Sequence, residues 1–65
     1  MRLTEFWWRM EAQFGHAYAA SVANDQVIGR LGGRSIVAAL DAGEDPKTVW
    51  QAVCEHFEIP VSQRH

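Results

Sequence analysis

Ser35 to Phe57 reads SIVAALDAGEDPKTVWQAVCEHF, and its punctuation predicts two short helices joined by a tight turn. Ser35 is an N-cap residue whose hydroxyl can accept an early helical amide, and Ile36, Val37 and Leu40 follow on one apolar stripe. Gly43 falls where a left-handed residue commonly ends a helix. Asp45 and Pro46 then supply a fresh cap with proline at the first helical position. From there Val49, Trp50, Val53, Cys54 and Phe57 share one broad face, opposite Lys47, Thr48, Gln51, Glu55 and Glu58. Ile59-Pro60 is the expected stop, and residues 61–65 carry no pattern of their own and read as a loose tail.

Upstream, Thr4 is the expected cap of a first helix in which Leu3, Phe6, Trp7, Met10 and Phe14 lie within one arc, Leu3 stapling against the next turn and Gly15 closing it. Glu5 and Arg9 stand one turn apart in the favourable order, a minor surface support. The alanine-rich stretch from His16 to Leu31 predicts a second helix. Its large residues disagree about direction, Tyr18 and Val22 facing one way and Val27, Ile28 and Leu31 the other, with Asn24-Asp25 between them. Either one kinked helix is buried on two sides or the segment breaks near Asn24 and restarts; the single helix is preferred here. Leu31-Gly32-Gly33 ends it by the glycine route.

The expected architecture is all-α, a compact bundle of three to four short helices at roughly 4–15, 17–31, 35–42 and 46–58, all in one domain. Its predicted core comprises Phe6, Trp7, Met10, Phe14, Tyr18, Val22, Leu31, Ile36, Leu40, Val49, Trp50, Val53 and Phe57. A chain of 65 residues buries only about 60% of its unfolded surface, so the core must be dense or completed by a partner. At 48% hydrophobic, with three Trp, three Phe and one Tyr, the composition is that of a globular domain and not of a disordered one. Six Lys plus Arg against eight Asp plus Glu give a formal charge of −2, which offers nucleic acid or anionic lipid no general attraction. One cysteine excludes an internal disulfide framework and suits a reducing compartment. Met1-Arg2-Leu3-Thr4-Glu5 turns acidic before any apolar run, and no stretch approaches the roughly 18 apolar residues of a membrane span, so a cytoplasmic, membrane-free protein is expected.

Several stretches together resemble a small actinobacterial family known as domain of unknown function 3046. They are the opening Met1-Arg2-Leu3-Thr4-Glu5-Phe6-Trp7, Phe14-Gly15 with Ala17-Tyr18-Ala19, the turn Leu31-Gly32-Gly33-Arg34, and Asp45-Pro46 followed by Val49-Trp50 and Ala52-Val53-Cys54. Members of that family often have proline where this chain has His16. The resemblance implies a short cytosolic protein whose genes frequently lie near a recombinase gene, hence the neighbourhood of DNA repair. It implies no activity and carries over no catalytic residue.

Trp8 is the residue the helical wheel cannot house. At 100° per residue it points away from Phe6, Met10 and Phe14, beside Thr4, Glu11 and Ala12. Either a neighbouring segment such as the C-terminal tail folds over it, or it anchors a partner or a second subunit, since Trp is the residue most enriched at interface hot spots. The leading expectation is therefore a protein-interaction or accessory module that docks a protein or self-associates through Trp8.

The alternative is a helix-turn-helix nucleic-acid binder. Ala39-x-x-x-Gly43 followed by Val49 has that spacing and would aim Lys47, Thr48 and Gln51 at a groove. Against it stand Glu44, Asp45 and the acidic total; an ordinary helix pair explains the same spacing. Arg30, Gly32, Gly33, Arg34 and Ser35 are the one basic concentration, able to hold a phosphate or carboxylate if the glycine amides face it, or simply a helix stop with solvated arginines. Cys54 and His56 diverge on a helix and no paired ligand spacing occurs, so neither a metal nor any other cofactor is expected. Cys54 reads as core filler, His16 and His65 stand alone, and Glu44-Asp45 serve the turn; no enzyme is expected.

Overall fold

The computed structural model describes residues 1–63. Helix α1 (Leu3–Phe14) is followed by α2 (His16–Asp25), strand β1 (Val27–Ile28), a 3-10 turn at Gly29–Leu31, strand β2 (Arg34–Ser35), α3 (Ile36–Asp41), α4 (Pro46–His56) and a last 3-10 turn at Val61–Gln63. The essentially all-α architecture of three to four short helices expected from the pattern forms, with four among the described residues. The two strands only clasp it, pairing Val27 with Ser35 and Ile28 with Arg34.

The C-terminal helix pair follows its sequence signals closely. Ser35 Oγ accepts the Ala38 N–H at 3.1 Å and Asp45 Oδ1 accepts the Lys47 N–H at 3.0 Å, each satisfying an amide that the helix itself cannot. Between them Gly43 adopts φ 93°, and the amides of Gly43 and Glu44 return to the carbonyls of Leu40 and Ala39. That is the paired closure a left-handed glycine permits at a helix end. Helix α4 ends at His56, short of the expected residue 58, because the same closure recurs with Glu58 at φ 54° and the Ile59 N–H reaching Cys54 O at 2.8 Å. Ile59 is buried beyond it. Residues 61–63 form a turn rather than a loose tail, while the remainder of that expected tail, Arg64 and His65, lies outside the described residues.

Four expectations are corrected, most of them in the first half. Helix α1 starts at Leu3 on Arg2, which makes no side-chain cap, so Thr4 lies inside the helix, and Leu3 is half exposed rather than stapled. The predicted 17–31 helix stops at Asp25. Asn24 turns its side-chain amide back onto Ala20 O at 2.8 Å, Gln26 is extended, and the β-branched pair Val27-Ile28 is taken up by the strand ladder. Tyr18, expected in the core, is 63% exposed because α2 turns Ala19, Val22 and Ala23 inward, small side chains that let a neighbouring helix approach. Trp7, Phe14, Leu40 and Phe57, also expected there, are only partly buried and pack on the core's rim.

The interior joins the ends of the chain. Phe6 meets Trp50 edge to face at 6.2 Å, and Phe14 meets Phe57 at 5.1 Å. Contacts thus advance along α1 and α4 in the same direction, which places the two helices side by side and parallel. Met10, Val49 and Val53, all fully buried, belong with Ile28, Leu31 and Ile36 to the same core cluster.

Candidate functional site

Trp8 sits on the outer side of α1, 65% exposed, in an open depression of about 390 Å³ shared with Arg9, Ala12, Gln13 and Gln63. Gln63, in the last 3-10 turn, thus comes back to the edge of this aromatic and flanks it. It does not cover it. Trp8 therefore keeps most of its ring in water on a helix whose other face is anchored by Phe6 and Met10. An exposed aromatic on a rigid element is the geometry from which a docking anchor gains area at little entropic cost.

The basic candidates are distributed differently. Arg34 Nε donates to Leu31 O at 2.7 Å and its Nη2 to Glu44 Oε2 at 3.1 Å, so this guanidinium ties β2 to the α3–α4 turn. Arg30 is paired with Glu55 on α4. Each arginine thus has a carboxylate beside it that an incoming anion would have to displace. Lys47 and Gln51 stand one turn apart on α4 and line a separate cleft of about 510 Å³ against α1, with Glu5, Arg9 and Trp50 among its walls. The four residues named from the sequence therefore fall on two surfaces, Arg30 and Arg34 outside this cleft and Lys47 and Gln51 inside it.

In the sequence Glu5 and Arg9 look like surface support and Trp50 like core, yet all three line this cleft. Glu5 and Arg9 pair at 2.9 Å on α1, and only the side-by-side packing of α1 and α4 brings them opposite Lys47. Cys54 is buried in the core as read, His16 faces Glu11 at 3.1 Å on the surface, and the His56 ring lies edge-on to Phe57 at 4.8 Å. Among the described residues no group of three His, Cys, Asp or Glu side chains could hold a metal ion.

These features define a small helical domain whose distinguishing groups are on its surface, and among the described residues no helix is long and apolar enough to cross a membrane. The chain belongs to the family described as "Protein of unknown function (DUF3046)", whose profile matches residues 1–62. Among curated proteins it is similar to the "Putative envelope-preserving system protein Rv2742c" of Mycobacterium tuberculosis (strain ATCC 25618 / H37Rv), with 37% identity over 38 residues. Those residues make up 58% of this chain and 14% of the mycobacterial protein, so the match spans only a small part of that relative's length. No solved structure matches the chain.

Proposed function

We propose that this chain is a non-catalytic protein-interaction module, a small cytoplasmic adaptor or accessory subunit that docks a protein partner or a second copy through Trp8. The observation that carries the reading is the 65% exposure of that indole on a helix fixed from behind. Two further facts support it. A similar segment forms a 14% portion of a longer protein, as portable modules do, and the lone thiol suits a reducing compartment. The process served is open to two directions: the family resemblance points to recombinase neighbourhoods, and the relative's name to an envelope-preserving system. Identifying the partner chooses between them.

The test is a photo-crosslinking amino acid placed at position 8 and, as a control, at exposed Ala20, followed by light scattering on the Trp8→Ala protein. Discrete adducts at position 8 alone are expected, together with their loss, or loss of the dimer, in Trp8→Ala. Equal adducts at both positions, with an unchanged oligomeric state, would sink the proposal.

Nucleic-acid binding ranks second. Ala39 is fully buried and Gly43 left-handed, as a close helix-turn-helix crossing needs. The carboxylates beside Arg30 and Arg34 and the net charge oppose it. Flat titrations against duplex and single-stranded DNA at low salt would remove this reading; a steep salt slope that shrinks in Lys47→Gln would promote it.

A further inference from the structure

A second surface lies on the far side of Trp7 from the Trp8 depression. Leu3 and Trp7 of α1, Val37 and Leu40 of α3, and Pro46 at the start of α4 enclose an open slot of about 310 Å³, with Asp41 and Glu44 on its rim. Leu3 is 50% exposed at its lip, and Trp7, Val37 and Leu40 are half-buried, so apolar surface remains in contact with water. The volume lies at the small end of ligand sites, enough for one or two apolar side chains rather than a whole cofactor.

The rim decides what kind of chain fits. Two carboxylates line the slot; Arg34 answers Glu44, and Asp41 is exposed with no ion pair to any described residue. An apolar slot with an acidic border selects a segment that presents apolar side chains on one face and lysine or arginine beside them. An acidic or nucleic-acid partner would be repelled there. We infer that this slot binds a basic amphipathic helical segment of another protein, its apolar residues seated on Leu3, Trp7 and Leu40 and a cation on Asp41. This inference uses none of the residues around Trp8 except the helix that carries it, so it stands or falls separately from the Trp8 reading.

Synthetic peptides of about 15 residues, long enough to form a helix on docking, supply the probe. One carries leucines at helical i, i+3, i+4 spacing with lysines between them, and the other replaces every lysine by glutamate. Amide and indole NMR signals of the full chain are followed during titration. Expected are saturable shifts at Leu3, Trp7, Val37 and Leu40 with the lysine peptide, affinity at least about tenfold weaker with the glutamate peptide, and a loss of about fivefold in the exposed-site variant Asp41→Lys. Trp8→Ala should leave the titration unchanged. Equal response to both peptides, shifts centred on Trp8, indifference to Asp41→Lys, or slot shifts that appear on concentrating the protein alone would each overturn the inference, the last by naming a second copy as occupant.

Discussion

The C-terminal helix pair is fastened at its helix starts by its own side chains, Ser35 on α3 and Asp45 on α4, whereas neither α1 nor α2 has a side-chain cap. A single residue, Gly15, serves as the end of one N-terminal helix and the start of the next, at φ 90° and ψ 151°. Helices of 6 to 12 residues are all marginal alone, and α1 and α2, without caps, depend the more on what they pack against. The same half holds the most exposed large apolar side chains, Leu3, Trp8, Tyr18 and Val27. The contrast shows where local rules end: the capped half has its helix boundaries set by its own side chains, and the half set by packing holds the most exposed large apolar side chains.

The sharpest way to break that contrast is through Phe6, which is fully buried and stacks edge to face on Trp50. Phe6→Ala should cost about 3–5 kcal/mol, a large share of what a domain this small possesses, and move the urea midpoint close to zero in a tryptophan-fluorescence titration. A cost below about 1 kcal/mol would mean that the two halves do not share one interior. Next in size is Gly15→Ala. A Cβ there meets nothing within 4 Å, so any loss comes from the backbone alone, which sits in a region essentially reserved for glycine. About 1–3 kcal/mol is expected from the same titration.

The caps provide an internal control of smaller size. Ser35→Ala and Asp45→Ala should each cost about 1 kcal/mol by removing the acceptor of an otherwise unsatisfied amide. Thr4→Ala should fall within about 0.5 kcal/mol, because Thr4 is exposed inside α1 and caps nothing. Equal losses at Thr4 and Asp45 would erase the distinction between the two halves.

How much could be seen in the residues follows the same division. Ser35, Gly43 and Asp45-Pro46 signal through bonds to their own neighbours, so the α3–α4 boundaries were legible to within a residue at three of four ends. The fourth was missed because a non-glycine, Glu58, takes the left-handed position. Val27, Ile28 and Leu31 look helical because spacing records only which residues are apolar, whereas the strand partners of Val27 and Ile28 lie across the 3-10 turn that holds Leu31. Tyr18 looks inward-facing for a related reason: a pattern weighted by size overlooks Ala19 and Ala23, whose smallness is what faces the core. Trp8 was legible from the wheel alone. The Lys47 cleft and the Leu3–Leu40 slot were not, since each has walls from helices that meet only in the folded chain.

The smallest expected effect gives the N-terminal pair the local device it lacks. His16 occupies the first position of α2, where a backbone N–H has no helical acceptor and proline's fixed φ is already suitable. Gly15 precedes it with ψ 151°, within the extended range a residue before proline must adopt. His16→Pro should therefore stabilise by restricting the unfolded chain, by about 0.5–1 kcal/mol. Against this stands the loss of the His16–Glu11 contact, which is solvent-exposed and contributes little. A rise of a few degrees in melting temperature is the expected result, with Trp8 still exposed to quencher. A fall would show that the turn at Gly15 shifts when the chain is free in solution, and that packing against α4, more than the geometry of residue 15, sets the angle between the first two helices.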